Sequence, residues 1–85
     1  MGSWTFDYRD EAMECLNRRD FQSAKRVFRS LVDYREIMKT VYGGMAQSVF
    51  LLCCERFKND GAIMAFLLNI NNEMHLVEYE DEMSL

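Results

Sequence analysis

Eighty-five residues, 49% hydrophobic and 28% charged with a net charge of −4, describe one globular domain and exclude both a multidomain enzyme and a disordered chain. A chain of this length buries roughly 60% of its unfolded surface, so modest stability is expected unless it dimerises. The first residues hold neither a basic n-region nor an apolar h-region, and "MAQSVFLLCC" is far short of the ~20 residues that span a bilayer. No membrane association is expected, and the reading is cytoplasmic. Three cysteines, two of them adjacent, make no disulfide framework and read as small buried hydrophobes in a reducing compartment.

Residues 8–17 predict a first helix, with Tyr8, Ala12, Cys15 and Leu16 on one face and Asp7 as its cap. Trp4 and Phe6 precede that cap and are expected to clip the chain end onto the core. Asp20 is a good N-cap for a second helix, whose apolar stripe is Ala24, Val27, Phe28 and Leu31. Met38, Val41 and Tyr42 can extend the stripe, and one long helix or two short ones fit residues 32–36. The "YGG" at 42–44 is the strongest stop signal. Beyond it, Met45, Val49, Leu52, Cys53 and Phe57 predict a third helical face, with Phe50, Leu51 and Cys54 on its flanks. A helix apolar on so many sides belongs at the centre of the core or at an oligomer interface.

"KNDG" at 58–61 reads as a turn. The segment "AIMAFLLNI" fits a helix or a buried strand, and periodicity does not decide between them. Placing Asn71 and Asn72 in a two-residue turn pairs Leu68 with His75, Phe66 with Val77 and Met64 with Tyr79 on one apolar face. The opposite face then pairs Ala65 with Glu78 and Ile63 with Glu80. The expected fold is therefore α+β: about three helices packed on a C-terminal two-stranded antiparallel hairpin. The alternative is an all-α bundle.

The stretch "CLNRRDFQSAKRVFRSL" resembles the second half of a tetratricopeptide repeat through Leu16, Asp20, Phe21, Ala24, Phe28 and Leu31. The resemblance implies a helical hairpin in which the small residue lets two helices approach and the aromatic packs between them. It covers under twenty residues. An offset of forty residues sets Gly61 against Phe21 and Met64 against Ala24, so no second copy appears. Solenoids need about three repeats, and the stretch is read as convergent hairpin chemistry.

Charge is segregated along the chain. Between Arg18 and Lys39, seven basic residues face three acidic ones, whereas residues 73–85 hold five acids and no base. The basic set is Arg18, Arg19, Lys25, Arg26 and Arg29; the acidic set is Glu73, Glu78, Glu80, Asp81 and Glu82. The plainest reading of the cations is a solvated helix face. The next is self-complementarity with the acidic tail of the same chain or a neighbour. The third is a site for phosphate or an acidic partner.

No catalytic residue, cofactor site or metal set is expected. The single histidine, His75, lies beside Leu68 in the hairpin reading. Cys53 and Cys54 sit in an apolar helix, which raises a thiol pKa where nucleophilic catalysis needs it lowered. Adjacent helical cysteines point about 100° apart and chelate zinc poorly. Asp10 and Glu14 are an i, i+4 acid pair of the kind usually just solvated. No GxGxxG or P-loop is present, and "YGGM" lacks the lysine of the latter. The seven methionines are mostly core filler with some fitness for adaptable binding.

These features favour a non-catalytic protein-interaction module: a small acidic inhibitor, an antitoxin or immunity factor, or an adaptor. Its acidic tail would be steered to a basic surface, and its hairpin edge would pair with a partner strand. A nucleic-acid-associated regulator using the basic face of residues 18–29 is the second expectation. A self-assembling subunit with a dimer seam on the third helix is the third.

Overall fold

The computed structural model describes residues 4–37 and 45–77, and these form four helices: α1 (Trp4–Asn17), α2 (Phe21–Ile37), α3 (Met45–Arg56) and α4 (Gly61–Met74). There is no strand among the described residues. The fold is all-helical, and the expected α+β arrangement with a C-terminal β-hairpin is corrected.

Helix α1 starts at Trp4, earlier than expected, so Asp7 lies within the helix and is not its cap. Its inner face buries Ala12, Cys15 and Leu16, with half-buried Tyr8 and Met13 packed against the core. The helix ends in a Schellman closure. Arg19 takes the left-handed conformation (φ 59°). Its N–H donates to the Leu16 carbonyl at 3.0 Å, and that of Asp20 to the Cys15 carbonyl at 2.9 Å. Asp20 then opens α2, accepting the Ser23 N–H on Oδ1 at 3.2 Å. The chain thus reverses in a few residues, and α1 and α2 form a helical hairpin.

Ala24, Val27, Phe28 and Leu31 are all buried, and α2 runs unbroken through 32–36 to Ile37. Leu16, Ala24, Phe28 and Leu31, four of the residues shared with the tetratricopeptide pattern, are fully buried. Met38, Val41 and the 42–44 stop lie outside the described residues.

Helix α3 is rotated from the expected setting. Ala46, Val49, Phe50, Cys53 and, just beyond its end, Phe57 are buried, while Leu52 is 43% exposed. The helix carries more apolar residues than one inward face can hold. The Phe50 ring takes the inner place and meets Phe28 edge-on, with centroids 6.4 Å apart.

The last segment is helix because Ile63, Leu67, Ile70 and Met74 fall on one side at helical spacing, and all four are buried. Asp60 caps its start, accepting the Ile63 N–H at 3.2 Å. Positive φ, expected at Asn71 and Asn72, falls instead on His75 (φ 56°), whose N–H donates to the Asn71 carbonyl at 2.7 Å. Asn71 also accepts the Val77 N–H on Oδ1 at 2.8 Å, which turns Leu76 and Val77 back into the core. Among the described residues the expected pairs Leu68–His75 and Phe66–Val77 are not strand pairs: Leu68 is 55% exposed on a helix and His75 is its exposed cap. Tyr79 and Glu80 lie outside the described residues. A lone two-stranded ribbon is marginal in water, whereas α4 satisfies its backbone internally and still buries four apolar side chains.

Candidate interaction surface

The outer side of α2 carries Gln22, Lys25, Arg26 and Arg29. Their spacing puts them on one stripe, opposite the buried one. Together they line an open depression of about 270 Å³. Lys25 Nζ lies 3.2 Å from Glu73 Oε1, and Arg29 Nη2 lies 4.0 Å from Glu73 Oε2. One carboxylate from the last turn of α4 therefore sits between two cations one turn apart on α2. No ion pair involves Arg26 among the described residues. It borders a second groove of about 250 Å³ with Tyr8, Glu11, Ser23, Val27 and Ser30.

The run of cations is split by the fold. Arg18, at the end of α1, pairs with Glu14 at 3.7 Å and approaches Cys15 Sγ at 3.9 Å. Arg19 forks the Asp60 carboxylate, Nη2 to Oδ2 at 2.6 Å and Nη1 to Oδ1 at 3.4 Å. Only Lys25, Arg26 and Arg29 of the five share a surface. Of the acidic set, Glu73 is described and belongs to that surface; Glu78, Glu80, Asp81 and Glu82 lie outside the described residues.

Elsewhere the charges serve the helix ends. The N–H of Ile63, and after it the Arg19 guanidinium, hold the Asp60 carboxyl below its usual range. Hydrogen bonds from the Ser23 side chain and backbone do the same for Asp20. Asp10 and Glu14, the acid pair of α1, border a shallow depression with Glu11, Met13, Asn17 and Arg18. Each acid of the pair has an arginine beside it, Arg9 at 3.5 Å and Arg18 at 3.7 Å.

The thiols move in the direction expected of an apolar helix. Burial pushes Cys53 up to about 12, with a smaller contribution from Cys54, and it also raises Cys54. Cys15 is raised by burial against the lowering influence of Arg18. Among the described residues no group of three His, Cys, Asp or Glu side chains is placed to hold a metal ion, and no helix is long and apolar enough to cross a membrane.

One relationship was not legible in the sequence, and a second was legible only as a general attraction between the basic and acidic segments. The first is the Arg19–Asp60 fork. Its signal is Asp60 itself, which stands three residues before Ile63 as an N-cap does, within a "KNDG" that equally suits a turn. The second is the meeting of Glu73 with α2, whose geometry follows from residues 61–74 being a helix and not one arm and turn of a hairpin over 62–80. The chain matches no family model, no curated protein and no solved structure.

Proposed function

We propose that this protein is a non-catalytic interaction module that docks an acidic segment of a partner protein on the outer face of α2. The carrying observation is that Lys25 and Arg29 already flank one carboxylate, at 3.2 and 4.0 Å, with Arg26 beside them in the same depression. Glu73 stands in for a partner's Asp or Glu side chain. The exposed cations supply steering and orientation rather than deep desolvation. The role that fits is an inhibitor, an antitoxin or immunity factor, or an adaptor, and a cytoplasmic setting suits its free thiols.

The test is binding of a short oligo-glutamate peptide to the full chain at low ionic strength, followed by a salt titration. Binding that weakens with salt and is lost in the Lys25→Ala/Arg26→Ala/Arg29→Ala variant is expected. No binding at low salt would overturn the proposal. So would a DNA duplex that binds more tightly than the peptide, which favours the nucleic-acid reading.

Self-association is a second reading, favoured by Leu51 and Leu52, consecutive residues of α3 that are 41% and 43% exposed. Sedimentation should then show a dimer at micromolar concentration that Leu51→Ser/Leu52→Ser abolishes; a monomer throughout rejects it.

A further inference from the structure

We infer that Glu73 is an internal competitor for the docking face: it occupies Lys25 and Arg29 until a partner carboxylate displaces it. The inference rests on the docking reading above and adds its regulation.

Glu73 is badly placed for its own helix. It lies in the last turn of α4, which holds no basic residue, so the helix dipole opposes its charge there. The carboxylate is instead compensated from outside, by Lys25 and Arg29 of α2. A residue that breaks a local rule and, among the described residues, is compensated at a candidate binding face is a reason to read that face as functional.

Glu73 is also held in position. Buried Met74 follows it, the left-handed His75 ends the helix, and Asn71 Oδ1 receives the Val77 N–H at 2.8 Å so that Leu76 and Val77 are buried. The carboxylate is delivered to α2 by this packed helix end. Yet its side chain is 51% exposed, and those of Lys25 and Arg29 are 44% and 57% exposed. Pairs so open to water hold weakly. An incoming acidic segment can meet Arg26 first and then exchange with Glu73 at Lys25 and Arg29. The face is thereby protected from weakly acidic strangers and yields to a segment bearing several carboxylates.

The experiment compares oligo-glutamate binding by the full-length wild type, Glu73→Gln and Glu55→Gln at low ionic strength. Glu55 is an exposed carboxylate of α3 paired with Lys58 at 3.2 Å, so its substitution removes the same charge away from α2. Glu73→Gln should tighten binding by about two- to fivefold, and Glu55→Gln by clearly less. The thermal midpoint of Glu73→Gln should stay close to wild type, because relief at the helix end offsets the lost pair. Equal tightening in both variants would show a net-charge effect and overturn the inference, as would weaker binding by Glu73→Gln. If the wild type and the Lys25→Ala/Arg26→Ala/Arg29→Ala variant bind alike, the docking reading itself fails and the competitor falls with it.

Discussion

Arg19 and Asp60 stand forty-one positions apart in the chain and meet in a two-pronged contact, with Nη2 and Oδ2 2.6 Å apart. Each also ends or begins a helix. Arg19 is the left-handed residue that closes α1, and Asp60 is the N-cap of α4. One side-chain pair therefore ties the first helix to the last. Glycine is the usual occupant of a left-handed closing position; here an arginine takes the strained backbone and uses its guanidinium at long range.

That double duty separates two substitutions. Arg19→Ala and Arg19→Gly both lose the fork to Asp60, but only glycine relieves the left-handed backbone. In urea denaturation Arg19→Gly should be about 1 kcal/mol more stable than Arg19→Ala, with Arg19→Ala below wild type. Equal stabilities for the two variants would mean that residue 19 is not left-handed in solution.

Acid should loosen the helix starts. The carboxyls of Asp60 and Asp20 titrate below their ordinary value of 3.8 in the folded chain. Between the folded and unfolded values the unfolded state binds more protons, so stability falls as pH falls. Their contribution is intact above pH 3.8 and is lost as the pH drops through the folded values. Urea midpoints measured against pH should show this acid limb, and Asp60→Asn and Asp20→Asn should each flatten it. An unchanged limb in both variants would contradict the capping roles.

The setting of α3 is testable by contrast. Phe50 is fully buried against Phe28, whereas Leu52 is 43% exposed. Phe50→Ala should cost about 3–5 kcal/mol, enough to threaten folding of so small a domain. Leu52→Ala should cost about 1 kcal/mol or less. The reverse order would restore the face on which Leu52 points inward.

Burial of the thiols predicts an alkaline limb. Cys53 is pushed up to about 12 from 9.0 by burial and, less strongly, by Cys54. Above pH 9 the unfolded thiol ionises while the folded one stays protonated, so this contribution to stability is lost between about 9 and about 12. Cys53→Ala should lower that part of the limb. An aromatic disulfide reagent near neutral pH should label Cys53 only on unfolding, and rapid labelling of native Cys53 would contradict its burial.

Much of the first half was legible because its signals are local. Asp20 caps, and Ala24, Val27, Phe28 and Leu31 keep a helical period with turn chemistry before them. The second half failed for an identifiable reason. The apolar run from Ile63 to Ile70 supports either period, and the strand pairing drawn around Asn71 and Asn72 was internally consistent yet had no third strand to stabilise it. Asn71 does work at a chain reversal, but as the acceptor for His75 and Val77 at the end of a helix. The surface was legible in part. Charge segregation pointed to contact between basic and acidic segments, and Glu73 does meet Lys25 and Arg29. The pairing of Arg18 with Glu14 is a local i, i+4 contact, whereas the diversion of Arg19 to Asp60 depends on tertiary placement that no local pattern carries.

The docking face is tested most directly by mapping amide chemical shifts of the full chain during titration with an oligo-glutamate peptide. Perturbations should concentrate on Gln22, Lys25, Arg26, Arg29 and Glu73, and leave Leu51, Leu52 and Glu55 unmoved. Shifts centred on α3, or none on α2 at peptide saturation, would contradict the assignment of that face.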